Sequence, residues 1–242
     1  VLLRVDKTPP KLGNNILEVR NLCVTDDRGI KRLKDIDLDV RAGEVLGIAG
    51  VAGNGQSELL AVLGGYQKAI GSVKINQNLI NISGESEGQS RRASGLCHVP
   101  EDRQRDGLIM EFTAWENSIF GYHNQPKFQN RVLMNNAVIK IEARAKMERF
   151  DIRPPDPRLR ARSFSGGNQQ KIVLAREIER DPEILLVGQP TRGVDIGAIE
   201  FIHQQIIALR DRGKAILLVS VELDEILSLS DRIAVMFDGQ IM

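Results

Sequence analysis

The sequence predicts an α/β domain built on a mostly parallel sheet, with a helical subdomain inserted into it. Three observations carry this. Short apolar runs that fit buried strands alternate with helical patterns. A glycine-rich loop joins one such strand directly to a helix. One stretch, residues 108–160, shows helical texture, ends in Pro154, Pro155 and Pro157, and has no strand pattern. The chain has 242 residues, 42% of them apolar and 27% charged, enough for a large core without staples.

Residues 1–15 carry Pro9-Pro10, Gly13 and two asparagines, and read as an interdomain linker. Ile16 to Leu22 alternates as a strand. Asp26-Asp27-Arg28-Gly29 is a turn, and Leu33 to Val40 is a second strand. Gly43 leads into the buried run Val45 to Ala49. Ser57 to Leu63 is helical and closes at Gly64-Gly65. Within the helical insertion, a helix is expected from about Arg131 to Phe150. Asn168 to Arg180 forms another helix, ending near Asp181-Pro182. Ile184 to Val187 is a buried strand. Gly197 to Arg212 is a helix with Ile199, Ile202, Ile206 and Leu209 on one face. Ala215 to Val219 and Ile233 to Phe237 are the last strands. The sheet domain thus comprises 16–107 and 161–242, and the insertion 108–160.

Composition excludes several classes. Lys plus Arg number 33 against 32 for Asp plus Glu, so the net charge of +1 makes no case for nucleic acid. Aromatic residues are 4%, too few for base-stacking platforms. No apolar run approaches the roughly 18 residues of a spanning helix. Cys23 and Cys97 have no metal-ligand spacing and read as small buried apolar residues in a reducing compartment. His98, His123 and His203 are scattered without ligand spacing. The Arg158, Arg160 and Arg162 run is too short for a nucleic-acid surface. The chain starts without methionine and stops just after a strand, as expected of part of a longer protein.

The loop Gly50-Val51-Ala52-Gly53-Asn54-Gly55-Gln56-Ser57, followed by Glu58, nearly has the form G-x-x-x-x-G-K-[ST] of a phosphate-binding loop. Such glycines let backbone N–H groups turn onto phosphate oxygens, and the helix start adds partial positive charge. Gln56 stands at the lysine position, while Ser57 keeps the hydroxyl that binds Mg²⁺. Losing a hydrogen bond to a charged group forfeits roughly 1.5–3 kcal/mol.

Farther on, Ser163-Phe164-Ser165-Gly166-Gly167-Asn168-Gln169-Gln170-Lys171 resembles the signature sequence of ATP-binding cassette proteins. The run Ile184 to Asp195 is similar to that family's magnesium-site strand, catalytic position and D-loop, and Val99-Pro100-Glu101-Asp102-Arg103 falls at its Q-loop. Together, G-N-Q-Q-K and P-T-R-G-V-D resemble the C-terminal cassette of two-cassette proteins that energise import of simple sugars or nucleosides.

The resemblance implies a P-loop NTPase (RecA-like) fold with an N-terminal antiparallel β subdomain. It implies ATP and Mg²⁺ as ligands, held weakly or shared with a partner cassette. It also implies a permease in the membrane as partner and a place at the membrane's cytoplasmic face. Ser165, Gly166, Gly167 and Asn168 would address the partner's ATP, and Asp195 would be the D-loop acid.

Five positions depart from a working site. Gln56 replaces the lysine, Gly188 the Mg²⁺-organising aspartate, and Gln189 the catalytic glutamate. Val221, within Ser220-Val221-Glu222, stands at the switch histidine, and Glu101 at the Q-loop glutamine. No aromatic residue stands ready for adenine, where Cys23, Val24 and Thr25 lie. The expectation is a cassette whose own site is hydrolysis-deficient but whose signature is intact. An active ATPase with atypical residues is the alternative. A cassette for DNA maintenance ranks last, since neither zinc-binding cysteines nor a long coiled-coil insertion is present.

Overall fold

The computed structural model describes residues 5, 7–84, 87–130 and 133–242. β1 (Asn15–Thr25) and β2 (Lys31–Arg41) form an antiparallel pair. The turn between them is held by Asp26, whose carboxylate accepts the N–H groups of Arg28 (3.0 Å) and Ile30 (2.9 Å). An aspartate at this place mimics a backbone turn, which is why the sequence reads it correctly. β3 (Val45–Ala49), fully apolar but for Gly47, enters the interior, and α1 (Gln56–Gly64) follows it.

β4 (Ile70–Ile75), β5 (Asn78–Ile80) and α2 (Gly88–Ala93) lead to β6 (Leu96–Val99). The next stretch holds α3 (Ala114–Asn117), β7 (Gln129–Asn130), β8 (Leu133–Met134) and α4 (Asn136–Arg149). α5 (Gly166–Ile178), β9 (Ile184–Gly188), α6 (Ile196–Asp211) and β10 (Ala215–Val219) then alternate. α7 (Leu223–Leu229), β11 (Arg232–Phe237) and β12 (Gln240–Ile241) complete the order.

Two main sheets result. One is antiparallel, in the order β2-β1-β4-β5. The other runs β12-β11-β3-β10-β9-β6 and is parallel except for the short edge strand β12. Period-two alternation in the central strands sorts side chains onto two faces. Ile184, Leu186, Leu217 and Val219 meet the antiparallel sheet and α1. Leu185, Val187, Ile216 and Leu218 meet residues of α5, α6 and α7. A strand buried on both faces must be apolar throughout, and β9 and β10 are completely buried.

Three expectations need correction. The inserted segment contains the strand pair β7–β8, too short at two residues a side to give an alternating pattern. Its long helix starts at Asn136, not near Arg131, because the Asn135 side chain caps it by accepting the Val138 N–H at 3.3 Å. Arg131 lies outside the described residues. Cys23 is only half-buried, with its Sγ 3.2 Å from Asp35 Oδ1. Ahead of β1, the described N-terminal residues have no regular structure and make contacts with the sheet domain. Arg210 donates to the Thr8 carbonyl (2.9 Å), and the Gly13 N–H reaches Ala42 O (2.9 Å).

Candidate functional site

Parallel sheets present ligands at the carboxyl ends of their strands. At that edge β3 runs into the glycine-rich loop, which ends in α1. Gly55 occupies the N-cap in the left-handed region, φ 108°, with no side-chain cap on the helix. A Cβ there would lie 2.9 Å from the Arg32 carbonyl oxygen, so only glycine fits. The loop is braced by the β11–β12 turn, which the sequence reading missed. Asp238 N–H donates to the Asn54 side chain (2.8 Å) and Gly239 N–H to the Asn54 carbonyl (3.0 Å).

Gln56 is buried and folded back onto its own loop. Its Oε1 accepts the Asn54 N–H at 3.2 Å, and its Nε2 donates to Val51 O at 3.1 Å. An inward amide of the loop is thereby satisfied by a neutral side chain. Gly53 is exposed beside it. Ser57 is exposed and Glu58 half-buried, and both border a cavity of about 500 Å³ that also meets Tyr66, His98, Glu101 and Arg192. Among the described residues no group of three His, Cys, Asp or Glu side chains forms a metal site. Mg²⁺ instead takes one or two protein oxygens and keeps its waters, so the Ser57 hydroxyl and Glu101 carboxylate suit it.

His98, at the end of β6, has both ring nitrogens buried and without hydrogen-bond partners. Burial pushes its pKa down to about 4, so it is neutral near pH 7. Asp102 caps the helical turn Arg103–Gly107, accepting the N–H groups of Arg105 (3.1 Å) and Gln104 (3.0 Å). Those bonds hold its carboxyl below the usual range.

Gln189 follows β9 with φ 45°. Its N–H donates to Val219 O (2.8 Å), and its Oε1 accepts the Val221 N–H at 3.2 Å. Gln189 and Val221 are thus joined by one hydrogen bond. They border a second cavity, about 460 Å³, that reaches the buried pair His203–Glu225 (2.9 Å).

The signature residues sit elsewhere, at the start of α5. Ser165 is exposed and caps the helix, its Oγ accepting from Asn168 N–H (3.4 Å) and Nδ2 (2.9 Å). Gly166 and Gly167 follow in the first turn. Asp195 caps α6, accepting the Ala198 N–H at 3.0 Å. Arg103 ties the Q-loop segment to the D-loop segment by donating to the Gly193 carbonyl (3.1 Å). Nothing in the sequence spacing singled that arginine out.

The arrangement is that of a nucleotide-binding cassette: a phosphate-type loop after β3, a second glycine-rich helix start, and a helical segment between them. Residues 33–192 match the family model for ABC transporters, and the chain belongs to that family.

Similar proteins sharpen this. The chain is 46% identical over 228 residues to the nucleoside import ATP-binding protein NupA of Lactococcus lactis subsp. cremoris, a match covering 93% of this chain and 44% of that protein. It is 43% identical over 244 residues to the guanosine import ATP-binding protein NupO of Bacillus subtilis, covering 100% of this chain and 47% of that one. The chain therefore spans less than half the length of these relatives. Among solved structures, the dimeric structure of a bacterial ABC transporter cassette superposes with TM-score 0.79 at 26% identity, over 93% of this chain and 96% of that one. A nucleotide-free cassette from an ABC transporter gives TM-score 0.78 at 25% identity, over 95% and 90%. No described helix is long and apolar enough to cross a membrane.

Proposed function

We propose that this chain is the ATP-binding cassette of an importer for nucleosides or sugars, working as the catalytically quiet half of a cassette pair. In this reading α5 presents Ser165, Gly166, Gly167 and Asn168 to ATP held by the partner cassette. A hydroxyl and bare N–H groups at a helix start form an anion site without any charged side chain. The chain's own loop holds nucleotide through Gly50, Gly53, Asn54, Gly55 and Ser57. Gln189 orients water there but accepts its proton poorly. The partner cassette is the other half of a longer chain, and permease subunits hold both at the cytoplasmic face of the membrane. Residues 108–160 are the helical subdomain through which closure reaches the permease.

One observation carries this reading: the helix start of α5 retains every signature group, while Gln56, Gly188, Gln189 and Val221 replace the working groups of the chain's own site. The names of the relatives support import of nucleosides or sugars.

The test is ATP turnover by the assembled transporter. Ser165→Arg is expected to lower it by roughly 100-fold or more, as loss of preorganised transition-state donors does, whereas Gln189→Ala stays within about threefold. A collapse of turnover in Gln189→Ala instead would favour an active ATPase with atypical residues.

A further inference from the structure

β9 and β10 are parallel neighbours, with Gly188 opposite Val219. Their carboxyl ends therefore lie side by side. The helices that follow them, α6 and α7, pack on the same face of the sheet. Each helix turns one polar residue inward. His203 on α6 is 3% exposed and Glu225 on α7 is 5% exposed. Ring Nε2 and carboxylate Oε1 lie 2.9 Å apart. The remaining polar atoms, His203 Nδ1 and Glu225 Oε2, are buried without a hydrogen-bond partner among the described residues.

Both residues line the cavity of about 460 Å³ between the Gln189–Gly193 stretch and α7. A neutral ring that donates from Nε2 keeps a lone pair at Nδ1, and a carboxylate oxygen only accepts. The cavity floor is then two buried acceptors facing no donor. Buried polar atoms are partnered in folded proteins, so the group that fits here brings N–H or O–H donors. The rim decides its charge. Glu222 and Asp224 are exposed there, and neither is in an ion pair with a described residue.

Asp224, in the first turn of α7, suits the helix dipole without any ligand. Glu225 is different, because a buried carboxylate is costly unless charge and hydrogen bonds compensate it. Arg192 also lines the cavity, yet it is exposed and pairs with none of the three carboxylates. Among the described residues no group of three His, Cys, Asp or Glu forms a metal site, which directs attention to an organic cation. Ile199 and Val221 supply apolar wall for its carbon stem.

We infer that this cavity binds an organic cation, a guanidinium or alkylammonium group whose N–H groups donate to Glu225 Oε2 and His203 Nδ1. Both ions carry several donors on one positive centre. The bound cation ties α6 to α7 beside the hydrogen bond that joins Gln189 to Val221. Two sources share this chemistry: an arginine or lysine side chain of a neighbouring subunit, or a free small amine.

The experiment titrates N-ethylguanidinium into this chain at constant ionic strength, with sodium as the control cation. It is run at about pH 8, above the ordinary histidine pKa of about 6.5. The His203 ring resonances, identified by their loss in His203→Gln, report the site. They are expected to shift saturably with the guanidinium and not with sodium. Glu225→Gln keeps the size of the side chain and weakens binding about tenfold or more, as loss of a hydrogen bond to a charged group does. Should that variant fail to fold, Glu222→Gln/Asp224→Asn on the exposed rim reads the charge alone and weakens binding about twofold to fivefold. No saturable shift, an equal response to sodium, or unchanged affinity in the folded variants overturns the inference and leaves the cavity to water.

The same titration of the assembled transporter separates the two sources. A His203 signal already shifted, and indifferent to the probe, identifies a basic side chain of a neighbouring subunit. An unshifted signal that still responds identifies a free amine. An unshifted signal that no longer responds overturns the site in the transporter.

Discussion

Two helix starts in this cassette carry glycine-rich motifs, and they are made by different means. α1 begins at Gly55, whose left-handed backbone only glycine tolerates, and the Gln56 amide folds back onto the loop. α5 begins at Ser165, an ordinary extended residue whose hydroxyl accepts the Asn168 N–H. Both are anion-type helix ends in backbone terms. They differ in what side chains add. In the proposed reading, Gln56, Gly188 and Gln189 stand around α1 where a working site would carry charged groups. Around α5 nothing needs replacing, because its chemistry is backbone and one hydroxyl. A site that depends on several charged side chains can lose function piecemeal while its backbone scaffold persists. A site built from a helix dipole and two glycines has less to lose.

The largest way to break this contrast is Gln56→Lys. A charged donor at that position should strengthen MgATP binding about tenfold to a hundredfold, equal to roughly 1.5–3 kcal/mol. Calorimetric titration against the wild type reads this directly. Unchanged affinity would show that the lysine position is not what limits the loop.

Backbone against side chain can then be compared by stability. Gly55→Ala puts a Cβ 2.9 Å from both the Arg32 carbonyl oxygen and Leu33 Cδ2 at φ 108°. It should cost about 1–3 kcal/mol. Ser165→Ala removes only a cap and should cost about 1 kcal/mol. Urea unfolding of the two variants checks the order, and a larger loss in Ser165→Ala would reverse the comparison.

A pH-dependent effect concerns the cavity beside α1. His98 has a folded pKa of about 4, below its ordinary 6.5, so it stabilises the fold fully above pH 6.5. That contribution is lost as pH falls from 6.5 towards 4, at up to about 1.4 kcal/mol per unit. His98→Gln should flatten this part of the stability–pH profile. An unaltered profile would place the acid sensitivity in another group.

Much of this was legible in the residues. The apolar runs of β3, β9 and β10 announce a doubly covered parallel sheet, because only buried strands can be apolar on both faces. The glycine pattern of residues 50–57 and the serine-glycine-glycine run at 165–167 mark two helix starts, since each motif is contiguous in the chain. The N-terminal strands β1 and β2 are visible through their alternation and the Asp26 turn. The elements between Ile70 and Val99 gave weaker signals: β4 has exposed residues at Ile70 and Gly71, and β5 is three residues long.

What sequence alone determined is therefore local: the periodicities, the caps, the glycine turns, and which residue stands at each motif position. What only the tertiary structure decided is the company these residues keep. Glu101 and Gly188 stand 87 positions apart in the chain, and each reads there as a separate departure. Strand register sets them side by side, and excluded volume makes the glycine a condition for the glutamate's position. The same holds for Gln189 and Val221, joined across β9 and β10, and for Arg103 on the Gly193 carbonyl. Periodicity and capping act over a few residues, whereas packing and pairing act through space, and no spacing along the chain encodes them.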